Sequence, residues 1–195
     1  YYTIDMLADD AIGLLDALGI EKTYYCGLSK GGMVGQKLAT RNPERLHAAV
    51  FCATSSYMGP ANLWQQRIDA AQAGGMESVS EGTLERWFTP NYHSSHASEI
   101  AKIREMIHAT PVDGFAGCCI AIKDMDQRET IKTIDLPVLV IAGAEDPGTT
   151  PAMNKLIADS IPNAEYVELP NSAHFCNVQA ADGFNNALAD FLLKH

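Results

Sequence analysis

Gly27-Leu28-Ser29-Lys30-Gly31-Gly32 follows the buried-type run Thr23-Tyr24-Tyr25-Cys26 and opens a segment of helical composition that ends at Asn42-Pro43. The pattern predicts a strand that turns sharply into a helix with a serine at the corner. A strained turn of this kind projects the hydroxyl and leaves no room for side chains two positions before and after the serine, where Gly27 and Gly31 stand. The bland alternative is a glycine-rich turn holding an incidental serine, and the flanking strand and helix argue against it. To act as a nucleophile Ser29 needs a base for its proton and donors for an oxyanion.

Two later strand ends offer the partners. The run Pro137 to Gly143 leads into Ala144-Glu145-Asp146-Pro147-Gly148, a carboxylate at a Pro/Gly turn. Glu165 to Leu169 leads into Pro170-Asn171-Ser172-Ala173-His174, an imidazole at a loop tip. Nucleophile, acid and histidine thus follow one another in chain order, each past a strand end. Asp146 is preferred to Glu145 because a shorter carboxylate beside a turn is easier to fix against an imidazole nitrogen.

Outward from these points, strands are predicted at 23–28, 47–53, 137–143 and 165–169, with helices at 3–18, 31–41, 151–160 and 178–193 between and around them. Strands alternating with crossover helices give an α/β fold with a parallel sheet, whose ligands bind beyond the carboxyl ends of the strands. From 60 to 133 the β-branched runs disappear and helix-period segments follow at 60–73, 81–88, 96–109, 111–122 and 124–132. Residues 1–59 and 134–195 are therefore read as the core, and 60–133 as a helical cap.

The 195 residues suffice for one domain with an insertion, and 47% hydrophobic with 19% charged residues excludes a disordered or low-complexity chain. Against 14 Lys+Arg stand 24 Asp+Glu, and a net charge of −10 makes nucleic acid and anionic membrane poor partners. No apolar run reaches bilayer length and no signal core opens the chain, so a cytoplasmic protein is the expectation. Five cysteines, an odd number in mostly apolar surroundings, are read as buried thiols. No phosphate loop or Cys-x-x-Cys occurs, and His93 and His96 have no third ligand nearby, so neither cofactor nor metal is implied. Oligomeric state has no sequence signature here.

On these residues the chain resembles the α/β-hydrolase superfamily, and within it is similar to the enol-lactonases that open 3-oxoadipate enol-lactone in aromatic-compound degradation. The likeness runs from Tyr2 to about Leu192. Its general part is the helix from Leu7 to Ile20, the serine turn, and Ser29, Asp146 and His174. Its narrower part is Gly117-Cys118-Cys119-Ile120-Ala121-Ile122-Lys123-Asp124-Met125-Asp126, with Lys123 where these enzymes more often carry Arg, and Lys30 where Met often follows the serine. The resemblance implies hydrolysis of a small anionic lactone or ester: Ser29 as nucleophile, His174 as general base, Asp146 orienting the imidazole, and the Lys30 backbone N–H as an oxyanion donor. It also implies a cation for the substrate carboxylate, with Lys30, Lys123 and Arg128 as candidates, and an apolar wall to which Trp64 or Trp87 contributes. The same triad serves carboxylesterases, C–C bond hydrolases and acyltransferases, and a non-catalytic binding module or inactive fragment is the reading from outside enzymes. Members of the superfamily place strands and an oxyanion loop ahead of the helix that opens this sequence. The expectation is thus the C-terminal part of the sheet, about four strands, with the serine strand at its edge and one oxyanion donor.

Overall fold

A computed structural model describes residues 1–195. The strands are β1 (Thr23–Leu28), β2 (Leu46–Cys52), β3 (Val138–Gly143) and β4 (Glu165–Leu169). The helices are α1 (Ile4–Ala17), α2 (Lys30–Arg41), α3 (Ala61–Gly74), α4 (Glu77–Trp87), α5 (Pro90–Ser95), α6 (Ala97–His108), α7 (Val112–Asp124), α8 (Pro151–Ser160), α9 (Cys176–Gln179) and α10 (Ala181–Leu192). The strands form one parallel sheet in the order β1-β2-β3-β4. This is the parallel α/β architecture expected from the sequence, with the serine turn following an edge strand.

Local chemistry sets the element ends. Thr3 caps α1 by accepting the N–H of Met6 at 3.1 Å, and Gly19 leaves the helix at φ 65°. Each face of the sheet is covered, which is why β2 and β3 read as continuous apolar runs instead of alternating ones. Ala49, Phe51, Val138 and Val140 pack on one side with Val34 and Leu38 of α2 and Ile157 of α8. Val50, Leu139 and Ile141 pack on the other with Phe184 and Phe191 of α10. The edge strand β1 is covered on one face only, so Tyr24 and Cys26 are exposed. Cys26 therefore corrects the expectation of five buried thiols, and Cys118 is only half-buried.

Helices α3 to α7 fill the stretch between β2 and β3 and carry a separate apolar cluster of Ala71, Met76, Leu84, Phe88, Ile100 and Ile107. Two predicted helices differ. Residues 124–132 are not helical: Met125 is extended, Asp126 bridges Tyr57, and only Thr130–Thr133 form a 3-10 turn. The reason is tertiary, because Gln127 is buried, donates its N–H to the Ser56 carbonyl at 2.8 Å and its amide to the Met33 carbonyl at 2.9 Å. The last helix is broken at Ala180 into α9 and α10. In addition α5, unpredicted, starts at Thr89-Pro90, a cap and first-turn proline that signal a helix start. No helix is long and apolar enough to cross a membrane.

Candidate active site

Because the four strands are parallel, the segments that leave β1, β3 and β4 emerge at one end of the sheet. Ser29 stands between β1 and α2 at φ 54° and ψ −115°, a conformation that disfavours a side chain and so carries local strain. Its N–H donates to the Cys52 carbonyl at 2.8 Å, and its carbonyl accepts Met33 N–H at 3.1 Å and Thr54 Oγ1 at 2.7 Å. A Cβ at Gly27 would lie 2.3 Å from the Gly31 carbonyl oxygen, so that glycine is required by backbone approach. The expected crowding after the serine falls one residue later than predicted. At Gly31 a Cβ would meet only the Tyr25 hydroxyl at 4.0 Å, whereas at Gly32 it would come within 2.7 Å of Thr54. Lys30 is the first residue of α2, where the helix offers its N–H no acceptor and the positive end of the macrodipole lies.

Asp146 and His174 meet in the interior. Asp146 Oδ2 accepts from His174 Nδ1 at 2.8 Å and from the Thr149 hydroxyl at 2.7 Å. Its Oδ1 accepts the N–H groups of Gly148 at 2.8 Å and Thr149 at 3.0 Å. The Asp146 side chain is 0% exposed and that of His174 9%. Burial pushes the Asp146 carboxyl up, but the hydrogen bonds and charge of His174 with those from Thr149 outweigh it and hold the group below its ordinary range. Neighbouring Glu145 is exposed. With Nδ1 donating to Asp146, His174 Nε2 is the nitrogen whose lone pair is left for a proton.

A continuous set of hydrogen bonds joins the serine turn to this pair. Thr54, bound to the Ser29 carbonyl, donates its N–H to Asn154 Oδ1 at 2.9 Å, and Asn154 Nδ2 donates to the Thr149 carbonyl at 2.9 Å. Asn154 is fully buried. The two partner loops also touch directly: Glu145 N–H donates to the Ser172 carbonyl at 2.9 Å, and a Cβ on Gly143 would stand 2.0 Å from the Ala173 carbonyl oxygen.

The histidine loop is bound to the helical insert as well. Phe175 stacks on Trp87 at 4.5 Å between ring centroids, and Trp87 also lies over the His174 ring at 6.3 Å. Gln179 accepts the N–H of Ala173 at 2.9 Å and donates to Thr89 Oγ1 at 2.9 Å. Thr149, Asn154 and Gln179 were not predicted. Thr149 had a signal, three residues past the acid in an Asp-initiated turn, while the other two had none.

The remaining predicted residues are placed as follows. Trp64 donates its indole N–H to the Met58 carbonyl at 2.9 Å and packs between α3 and α7. Lys30 Nζ donates to Cys118 Sγ at 2.8 Å. Lys123 Nζ lies 3.4 Å from Gln65 Oε1 and 3.9 Å from Asp124. Arg128 is exposed, paired in a fork with Asp126 and stacked over Tyr57 at 4.2 Å. Of the three cations, Lys123 and Arg128 thus each already have a carboxylate within 4.0 Å.

Comparison with known proteins identifies the family. The family described as alpha/beta hydrolase fold matches residues 1–181. The 3-oxoadipate enol-lactonase 2 of Acinetobacter baylyi is 35% identical over 187 residues, 96% of this chain and 70% of that protein. Among solved structures, the enol-lactonase from Burkholderia xenovorans LB400 superposes with a TM-score of 0.96 at 37% identity, over 98% of this chain and 74% of the other. A hydrolase from Pseudomonas aeruginosa PA01 does so with a TM-score of 0.95 at 40% identity, over 98% and 72%.

Proposed function

This chain belongs to the α/β-hydrolase family, and from that premise we propose that it is a serine hydrolase of a small anionic lactone, converting 3-oxoadipate enol-lactone to 3-oxoadipate. The observation that carries the reading is the buried 2.8 Å bond between Asp146 and His174, set at the same end of the sheet as Ser29. The similarity to proteins named as enol-lactonases supports the lactone over other esters.

In this reading His174 Nε2 takes the proton of Ser29 as its Oγ bonds to the lactone carbonyl carbon, and the N–H of Lys30 donates to the oxyanion. Asp146 holds Nδ1–H and stabilises the imidazolium. Collapse breaks the ring C–O bond, Nε2 returns the proton to the leaving enol oxygen, and the enol ketonises, which draws the ring opening forward. Water then loses a proton to Nε2 and attacks the acyl-serine, releasing the carboxylate and restoring Ser29. The work lies in the cytoplasm, on a product of aromatic-ring cleavage.

The test is turnover of the enol-lactone followed by loss of its absorbance, beside p-nitrophenyl esters. Ser29→Ala is expected to lower kcat by on the order of 10⁴-fold or more with an unchanged fold. Retained turnover in that variant removes Ser29 from the mechanism. Ester cleavage without lactone cleavage assigns a carboxylesterase, and a folded protein that a fluorophosphonate fails to label at Ser29 is a binding module.

A further inference from the structure

Six arginines occur in the chain, and four of them, Arg41, Arg45, Arg104 and Arg128, have a carboxylate within 4.0 Å. The other two, Arg67 on α3 and Arg86 on α4, have none, and they line the same groove of about 340 Å³ between those helices. Leu63, Ala70, Val79 and Gly82 contribute to its walls, with the polar side chains of Gln66 and Ser78. Arg67 lies over the Trp64 ring at 4.5 Å, and Arg86 makes a single 3.2 Å hydrogen bond to Thr83. In a protein with 24 carboxylates, two half-buried guanidiniums left together without one is a costly arrangement. Burial disfavours the charge on both, and repulsion from Arg67 adds to the effect at Arg86. An anion in the groove relieves both costs.

Arg86 precedes Trp87, whose ring lies over His174. Burial pushes the Cys119 thiol of α7 up to about 11, and the charges of Arg67 and Lys30 both act against that rise. Positive charge therefore extends from the serine turn into the insert, in a chain whose net charge is −10. We infer that Arg67 and Arg86 form the subsite for the substrate carboxylate, making them the specificity-determining residues for an anionic over a neutral acyl substrate. The assignment rests on the lactone hydrolase reading. It replaces Lys123 and Arg128, each with a carboxylate within 4.0 Å, with two arginines that have none. A forked guanidinium pair matches a carboxylate in geometry as well as charge.

The test compares 3-oxoadipate enol-lactone with its neutral methyl ester at fixed ionic strength. Arg67→Gln and Arg86→Gln are each expected to lower the ratio of kcat/KM for the anion over that for the ester by at least tenfold, through KM, and Arg→Lys at either position to restore part of it. An unchanged ratio in both Gln variants overturns the inference while leaving the lactonase reading standing. If the wild-type protein turns over neither lactone, that reading fails. The subsite is then decided by calorimetric titration of adipate, with inorganic phosphate as the competing anion. Adipate binding that phosphate does not match and that the double variant loses supports it. Equal binding by wild type and double variant, or none to wild type, overturns it. Melting temperatures, together with the Lys variants, separate a lost charge from a lost fold.

Discussion

The backbone N–H of Phe175 donates to the carbonyl of Trp87 at 3.0 Å, so the loop that carries His174 is bonded to the last turn of α4. With the Phe175–Trp87 stack and the Gln179 bridge, the helical insert is part of what positions the imidazole and not a detachable cover over it.

Gln179 tests that coupling. Gln179→Ala leaves the Ala173 N–H unpaired in a half-buried place and removes one donor from the Thr89 hydroxyl, which still caps Tyr92; an unmade hydrogen bond of this kind costs about 1–3 kcal/mol. Melting temperature is expected to fall by roughly 2–8 °C, with kcat dropping about tenfold and KM changing less. A fall in stability with kcat unchanged would remove Gln179 from the positioning of His174.

Asn154 is the hinge of the buried hydrogen bonds between Thr54 and Thr149. Asn154→Leu is close in volume but satisfies neither the Thr54 N–H nor the Thr149 carbonyl, and is expected to cost about 2–5 kcal/mol. Urea unfolding measures it. Asn154→Asp keeps the acceptor for Thr54 and should lose less, provided the pH keeps the effect of a buried carboxylate small.

Gly143→Ala places a methyl group where the Ala173 carbonyl oxygen already stands at 2.0 Å. Backbone cannot yield as a side-chain tip can, so the β3 end and the histidine loop must separate. The expected result is a loss of about 2 kcal/mol or more and at least a tenfold fall in kcat/KM. An Ala at Gly13, where nothing lies within 4 Å of the added Cβ, is the control.

Asp146 gives the pH dependence. Its carboxyl is pushed up by burial but held below 3.8 overall by His174 and Thr149, so the folded state favours the ionised form. A depressed carboxyl contributes stability that is present above its unfolded value and lost as pH falls through its folded value. Wild-type stability should therefore drop below about pH 3.8 more steeply than that of Asp146→Asn. A difference between the two proteins that stays constant from pH 6 to 3 would contradict the assignment.

Ser29 carries strain at φ 54° that glycine would not. Ser29→Gly and Ser29→Ala should both lack turnover, yet the glycine variant is expected to be more stable by about 1 kcal/mol. Thermal unfolding of the pair measures the energy stored at the serine turn.

Much of this was legible in the chain itself because it depends on local rules. The strand and helix alternation, the chirality of parallel crossovers and the small residues flanking Ser29 are enough to place Ser29, Asp146 and His174 at one end of a sheet. The extended stretch at Met125 and Asp126 was not legible, because helix-period residues there are overruled by the docking of Gln127 against Ser56 and Met33. Nor were Asn154 and Gln179, which act through partners 100 and 90 residues away. The binding cations show the division most plainly. Composition counts 14 basic residues, and which of them lack a carboxylate partner depends on neighbours that only the packed chain supplies. Covalent order and side-chain pattern determined the fold and the candidate residues at its strand ends, whereas tertiary packing decided what holds them and which charges have no carboxylate beside them.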